Sequence, residues 1–101
     1  MTMNIKAVTT CMGYQQITSL SSAPGLTVPA RTPDGSKQQP TCALIIAETQ
    51  VVRWRDDGTN PTASIGMPLA VGVPLQYDGD LTKIKFIEQT ASAKLNISYY
   101  C

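Results

Sequence analysis

Glycine and proline, seven of each in 101 residues, are placed so that no long stretch between them keeps a helical apolar period. No window of about eleven residues or more repeats apolar side chains at helical spacing and is also free of both residues. Short alternating runs recur instead, roughly every eight to twelve residues, with turn sequences between them. That spacing belongs to an all-β sandwich or barrel. The sequence predicts about seven or eight short strands and at most one helical turn.

The chain is organised around Cys42 to Gly58, CALIIAETQVVRWRDDG. An apolar run, Ala43 to Ala47, leads through Glu48-Thr49-Gln50 into Val51 to Arg55. Arg53 and Arg55 alternate with Trp54, the period of a half-buried strand. Asp56-Asp57-Gly58 stops the run, because glycine accepts positive φ and aspartate bonds its own backbone. Two strands are expected here. Leu44 and Ile46 share a face of the first and Val52 and Trp54 a face of the second, with Trp54 as core anchor.

Upstream, residues 1–12 read as an edge strand or extended arm, and residues 13–101 as a single sandwich domain. Gly13 punctuates the chain. Tyr14 and Gln16 then share a face opposite Ile17. Residues 21–25 read as a loop, and Leu26 to Pro29 as a short strand ended by proline. The most polar stretch, residues 31–41, carries Pro33-Asp34-Gly35 and reads as a protruding loop. Downstream, Ala63, Ile65 and Met67 alternate weakly, and Pro68, Gly72 and Pro74 bar a long helix. Leu75 and Tyr77 precede a turn at Asp78-Gly79-Asp80. Ile84 and Phe86 share a face in a strand spanning 81–88. Leu95, Ile97 and Tyr99 point inward from the last strand, with Lys94, Asn96 and Ser98 outward.

Composition narrows the function. Net charge is +1, without the basic face of a nucleic-acid binder. No apolar run is long enough to span a membrane as a helix, and residues 1–10 lack the charged and apolar regions of a secretory signal. Three cysteines, Cys11, Cys42 and Cys101, do not make a disulfide framework, and are expected as buried or terminal thiols. No histidine is present, which removes Ser-His-Asp and Cys-His chemistry and makes a structural zinc site untenable. No glycine-rich phosphate loop follows a strand. Asp56, Asp57, Asp78 and Asp80 could share one end of a sandwich, but their spacing matches no calcium loop. The expectation is a protein that is not an enzyme and holds no cofactor or metal.

From Gly13 to Tyr100 the chain resembles a group of small tailed-bacteriophage virion proteins. The matching segments include Gly13 to Thr18, Leu26 to Pro29, Ala43 to Gly58, Gly66 to Leu69, Tyr77 to Leu81, Ile84 to Glu88 and Ala93 to Tyr100, all collinear. The resemblance implies a small jelly-roll-like β-sandwich in a capsid or tail assembly. The corresponding function is capsid decoration: a cement protein, located in the virion, that bridges major capsid protein subunits. Its partners would be the major capsid protein or neighbouring virion proteins, and it would itself be a homo-oligomer. The alternatives are a tail or head-completion protein and a carbohydrate-binding module at a receptor-binding tip. Candidate partner contacts are Arg31, Asp34 and Lys37 in the polar loop, and Arg53 and Arg55, because arginine is enriched at interfaces.

Overall fold

A computed structural model describes residues 11–29 and 40–100. Residues 1–10, and the candidate contacts Arg31, Asp34 and Lys37, lie outside the described residues. The described chain is all-β, with strands β1 (Cys11–Ile17), β2 (Cys42–Glu48), β3 (Val52–Arg55), β4 (Met67–Leu69), β5 (Leu75–Tyr77), β6 (Lys85–Glu88) and β7 (Lys94–Tyr100). They form two antiparallel sheets, ordered β1-β7-β2-β5 and β4-β3-β6. The organising stretch is a corner between the sheets: β2 lies in the first and β3 in the second.

One further segment completes the pattern. Gly25 bridges antiparallel to Lys85 on β6. The Phe86 and Glu88 N–H groups donate to the carbonyls of Pro24 (3.0 Å) and Leu20 (2.9 Å). With this rudimentary strand counted, β1-β7-β2-β5 faces a row running from the Gly25 segment through β6 and β3 to β4. That is the strand order of a jelly roll. The pairing runs from Leu20 to Gly25, largely within residues 21–25, which the sequence reads as a loop. Leu26 to Pro29, which it reads as a strand, is not one. Thr27 gives its N–H to the Gln15 side chain (3.1 Å) instead of to a neighbouring strand. Leu26 and Val28 still pack against the core, which accounts for their alternation.

The core lies between the sheets, and its layout sets which face of β2 turns inward. Ala43, Ile45 and Ala47 are buried, whereas Leu44 and Ile46 are half-buried on the outer face. In register, Tyr77, Ala43, Tyr99 and Gly13 form one inward row across the four-stranded sheet. Both tyrosines are 1% exposed. Small residues must alternate with rings of that size, since interiors pack without voids. An all-apolar run gives no clue to which phase faces inward; Leu44 and Ile46 do share a face, and it is the outer one. Gly13 therefore belongs to β1 and to this row, with a bulge between Cys11 and Gly13, rather than ending a segment.

Elsewhere the alternation holds. Leu95, Ile97 and Tyr99 are buried, as are Ile84 and Phe86. The strand of Phe86 is shorter than expected, because Asp80 caps a turn at its start: Asp80 Oδ1 accepts from the Thr82 N–H (2.9 Å), and its carbonyl accepts from the Lys83 N–H (3.1 Å). The two described thiols depart from the buried expectation. Cys11 is exposed and Cys42 half-buried. They flank Tyr100 on opposite sides of β7. Two strand spacings, about 9–10 Å, separate them, and a disulfide needs Cα atoms within about 7 Å.

Candidate functional site

β3 crosses the second sheet and leaves it at Asp56. The chain returns through residues 56–66 to the edge strand β4, then passes to β5 in the other sheet. This return is held by polar contacts from Arg53. Its Nε donates to the Ala63 carbonyl (3.2 Å) and to Gln89 Oε1 (3.1 Å), and Nη1 donates to the Gly66 carbonyl (2.9 Å). Thr62 closes a tight turn with Ile65, its N–H reaching the Ile65 carbonyl at 2.8 Å. Gly66 has φ +144°, and a Cβ there would sit 3.1 Å from that of Arg53 and 3.2 Å from that of Pro61. Both the conformation and the space require glycine.

That framework presents apolar side chains to solvent. Ile65, Met67, Val71 and Val73 are each about half exposed. With Tyr14 they are the exposed large apolar residues among those described, and these four fall within nine residues of one another in sequence. The segment holding Val71 is fixed: Val71 bridges Ala47 of β2, and the Gly72 N–H donates to the Ala47 carbonyl (3.0 Å). Beside Ile65 and Met67 lies an open groove of about 510 Å³, walled by Trp54 and by Arg55, Asp56 and Asp57. Apolar residues on a braced edge, rimmed by charge, have the composition of a docking surface.

The expected site residues divide accordingly. Trp54 is half-buried: it packs on the core and meets the Tyr77 ring edge-on at 5.9 Å, while its other side lines the groove. Arg55 also lines the groove, bound in a forked pair to Asp57 (Nε to Oδ1, 3.1 Å). That contact raises the Arg55 pKa and holds the Asp57 carboxyl below its ordinary range. Arg53 belongs to the brace and not to the rim. Ile65 and Met67 were legible as alternating residues but not as exposed ones. Met67 is exposed because β4 is an edge strand of only three residues, and Ile65 because it closes the turn with Thr62 just before it.

The two aspartate turns do meet at one end. The buried Tyr77 hydroxyl donates to Asp56 Oδ2 (2.8 Å) and approaches the Asp80 carbonyl (3.3 Å). Burial, then the Asp56 carboxylate, raises the Tyr77 pKa well above its ordinary value. Hydrogen bonds from Thr82 lower that of Asp80. These turns serve a tyrosine, and among the described residues no three His, Cys, Asp or Glu side chains are grouped to hold a metal. No known protein-family model, curated protein or solved structure matches the chain.

Proposed function

We propose that this chain is a bacteriophage virion structural protein, a capsid-decorating cement protein that docks on major capsid protein subunits through the Ile65–Val73 margin. The observation that carries the reading is that margin: four exposed apolar side chains on backbone braced by Arg53 and tied to β2. It joins the collinear resemblance to small phage virion proteins and a jelly-roll strand order, an architecture used in viral capsids as well as in lectins and cupins. A cement protein needs a rigid body and a contact that excludes water across a joint between subunits. Specific attachment takes about 1,200–2,000 Å² of buried surface, more than the margin supplies alone. Neighbouring contacts and symmetric self-association add the rest, since closed oligomers match a symmetric lattice. A non-catalytic role fits a chain without histidine.

The test is reconstitution on capsids stripped of the protein. Met67→Asp and Ile65→Asp place a charge in the margin without touching a buried side chain. Each should fold as wild type does and bind capsids at least about tenfold more weakly, one desolvated contact being worth that much. Full binding by the double variant would remove the margin from the interface.

A further inference from the structure

The outer face of the four-stranded sheet carries a second surface, made from strands other than those of the margin. Tyr14 on β1 is 65% exposed, the most exposed of the large apolar side chains described. Its hydroxyl donates to Asn96 Oδ1 on β7. Asn96 is not its cross-strand partner, which is Ser98, but the diagonal neighbour beyond it. Diagonal neighbours lie about 7–8 Å apart. Reaching that far lays the tyrosine along the sheet, and its exposure leaves much of the ring open to solvent. The same Asn96 Oδ1 accepts from Gln16 Nε2 (3.0 Å), and Asn96 Nδ2 donates to Glu48 Oε1 on β2 (2.9 Å). Four side chains on three strands are thus locked together around one exposed ring.

We infer that this face binds a neutral oligosaccharide, with Tyr14 as the stacking platform and Gln16, Asn96 and Glu48 as hydroxyl partners. A ring's π-face is negative and attracts the polarised C–H groups on the flat side of a pyranose. Each polar member keeps capacity after its internal bonds: Gln16 a carbonyl oxygen and an N–H, Asn96 an N–H, Glu48 a carboxylate oxygen. Sugar hydroxyls both donate and accept, and this mixed set matches them. Charge selects a neutral ligand. The formally charged partners on this face, Glu48 and Lys94, stand opposite each other in register and offset one another. Among the described residues no cluster of cations is present there for a phosphate, a sulfated glycan or a nucleic acid. The network is formed without ligand, so little ordering cost remains on binding. A stacking site on an open sheet face takes a stretch of chain rather than enclosing a single sugar.

The experiment uses the whole chain and five neutral probes: cellohexaose, laminarihexaose, maltohexaose, xylohexaose and mannohexaose, with a heparin hexasaccharide as the anionic control. Binding is followed by backbone amide shifts at millimolar sugar, and oligomeric state by sedimentation. The inference expects at least one neutral hexaose to shift amides confined to β1, β7 and β2, with heparin silent. Tyr14→Phe should bind within a few-fold of wild type, and Tyr14→Ala should lose about tenfold or more, the ratio expected for one stacking contact. Gln16→Ala gives a second reading that leaves the ring in place and should also weaken binding. If no neutral hexaose binds, if heparin alone binds, or if both alanine variants bind as wild type does, the inference is wrong. It is equally wrong if wild type self-associates and Tyr14→Ala dissociates it, because the face is then an interface between copies.

Discussion

Tyr77→Phe removes a single oxygen from the point where two turns and two sheets meet. The Tyr77 hydroxyl is buried and gives its proton to Asp56, whose carboxylate is exposed. A hydrogen bond to a charged acceptor contributes about 1.5–3 kcal/mol when both partners are withdrawn from water. Here water replaces the lost donor on the Asp56 side, so the lower part of that range applies, about 1.5–2 kcal/mol. The ring stays, and with it the edge-on contact to Trp54, so no cavity term adds. For a domain of this size each kcal/mol moves the melting temperature by about 4–8 °C, which gives a fall of about 6–16 °C. Urea denaturation of wild type, Tyr77→Phe, Asp56→Ala and the double variant closes a cycle, and the coupling should be about 1 kcal/mol. Stability of Tyr77→Phe within about 0.3 kcal/mol of wild type would show that the hydroxyl contributes nothing to the fold. Asp56→Ala costing as much without the hydroxyl as with it would show the same of the bond between them.

Other perturbations follow from the same packing. Gly79→Ala should cost about 1–3 kcal/mol by thermal denaturation, because its Cβ would lie 2.5 Å from the Tyr77 hydroxyl and 2.7 Å from the ring. Ala43→Leu should destabilise by a similar amount, since residue 43 sits in register between Tyr77 and Tyr99. Both tyrosines bind their protons more tightly when folded, Tyr99 with its pKa pushed up to about 12 by burial and Tyr77 raised further. The stability they contribute is complete below the unfolded value of about 10 and is lost as pH rises through the folded values. Alkaline titration at the phenolate absorbance should therefore show these two ionising late, together with unfolding. Asp57 and Asp80 work in the opposite direction: their lowered pKa values give stability that is present above about pH 4 and lost as pH falls further. Asp80→Asn should flatten the acid limb of a stability-against-pH curve.

The late strands were legible in the sequence because they alternate cleanly. Leu95, Ile97 and Tyr99 stand against Lys94, Asn96 and Ser98, so one phase is apolar throughout and the other polar throughout. The first half of the organising stretch was legible as a strand but not in phase, since Ala43 to Ala47 is apolar at every position. Its inward residues are set by the tyrosines across the row, and those are brought there by β5 and β7 from far along the chain. Leu26 to Val28 shows how alternation can mark core packing without a strand, once a side chain such as Gln15 takes the backbone donor. Gly79 reads as a turn glycine and acts as a gap for a ring. Arg53 and Arg55 alternate identically around Trp54, yet one braces a loop and the other lines a groove. That difference depends on where residues 56–66 return, which no local pattern carries. The diagonal contact from Tyr14 to Asn96 joins residues at opposite ends of the chain and is equally invisible in sequence.

If this chain coats a capsid, counting it in purified particles will find it there. Quantitative mass spectrometry against the major capsid protein, on intact virions and on separated heads and tails, gives both location and copy number. The capsid role expects recovery with heads at a copy number comparable to that of the capsid lattice's repeating sites. Recovery with tails at a few copies per particle, or absence from virions altogether, would contradict it.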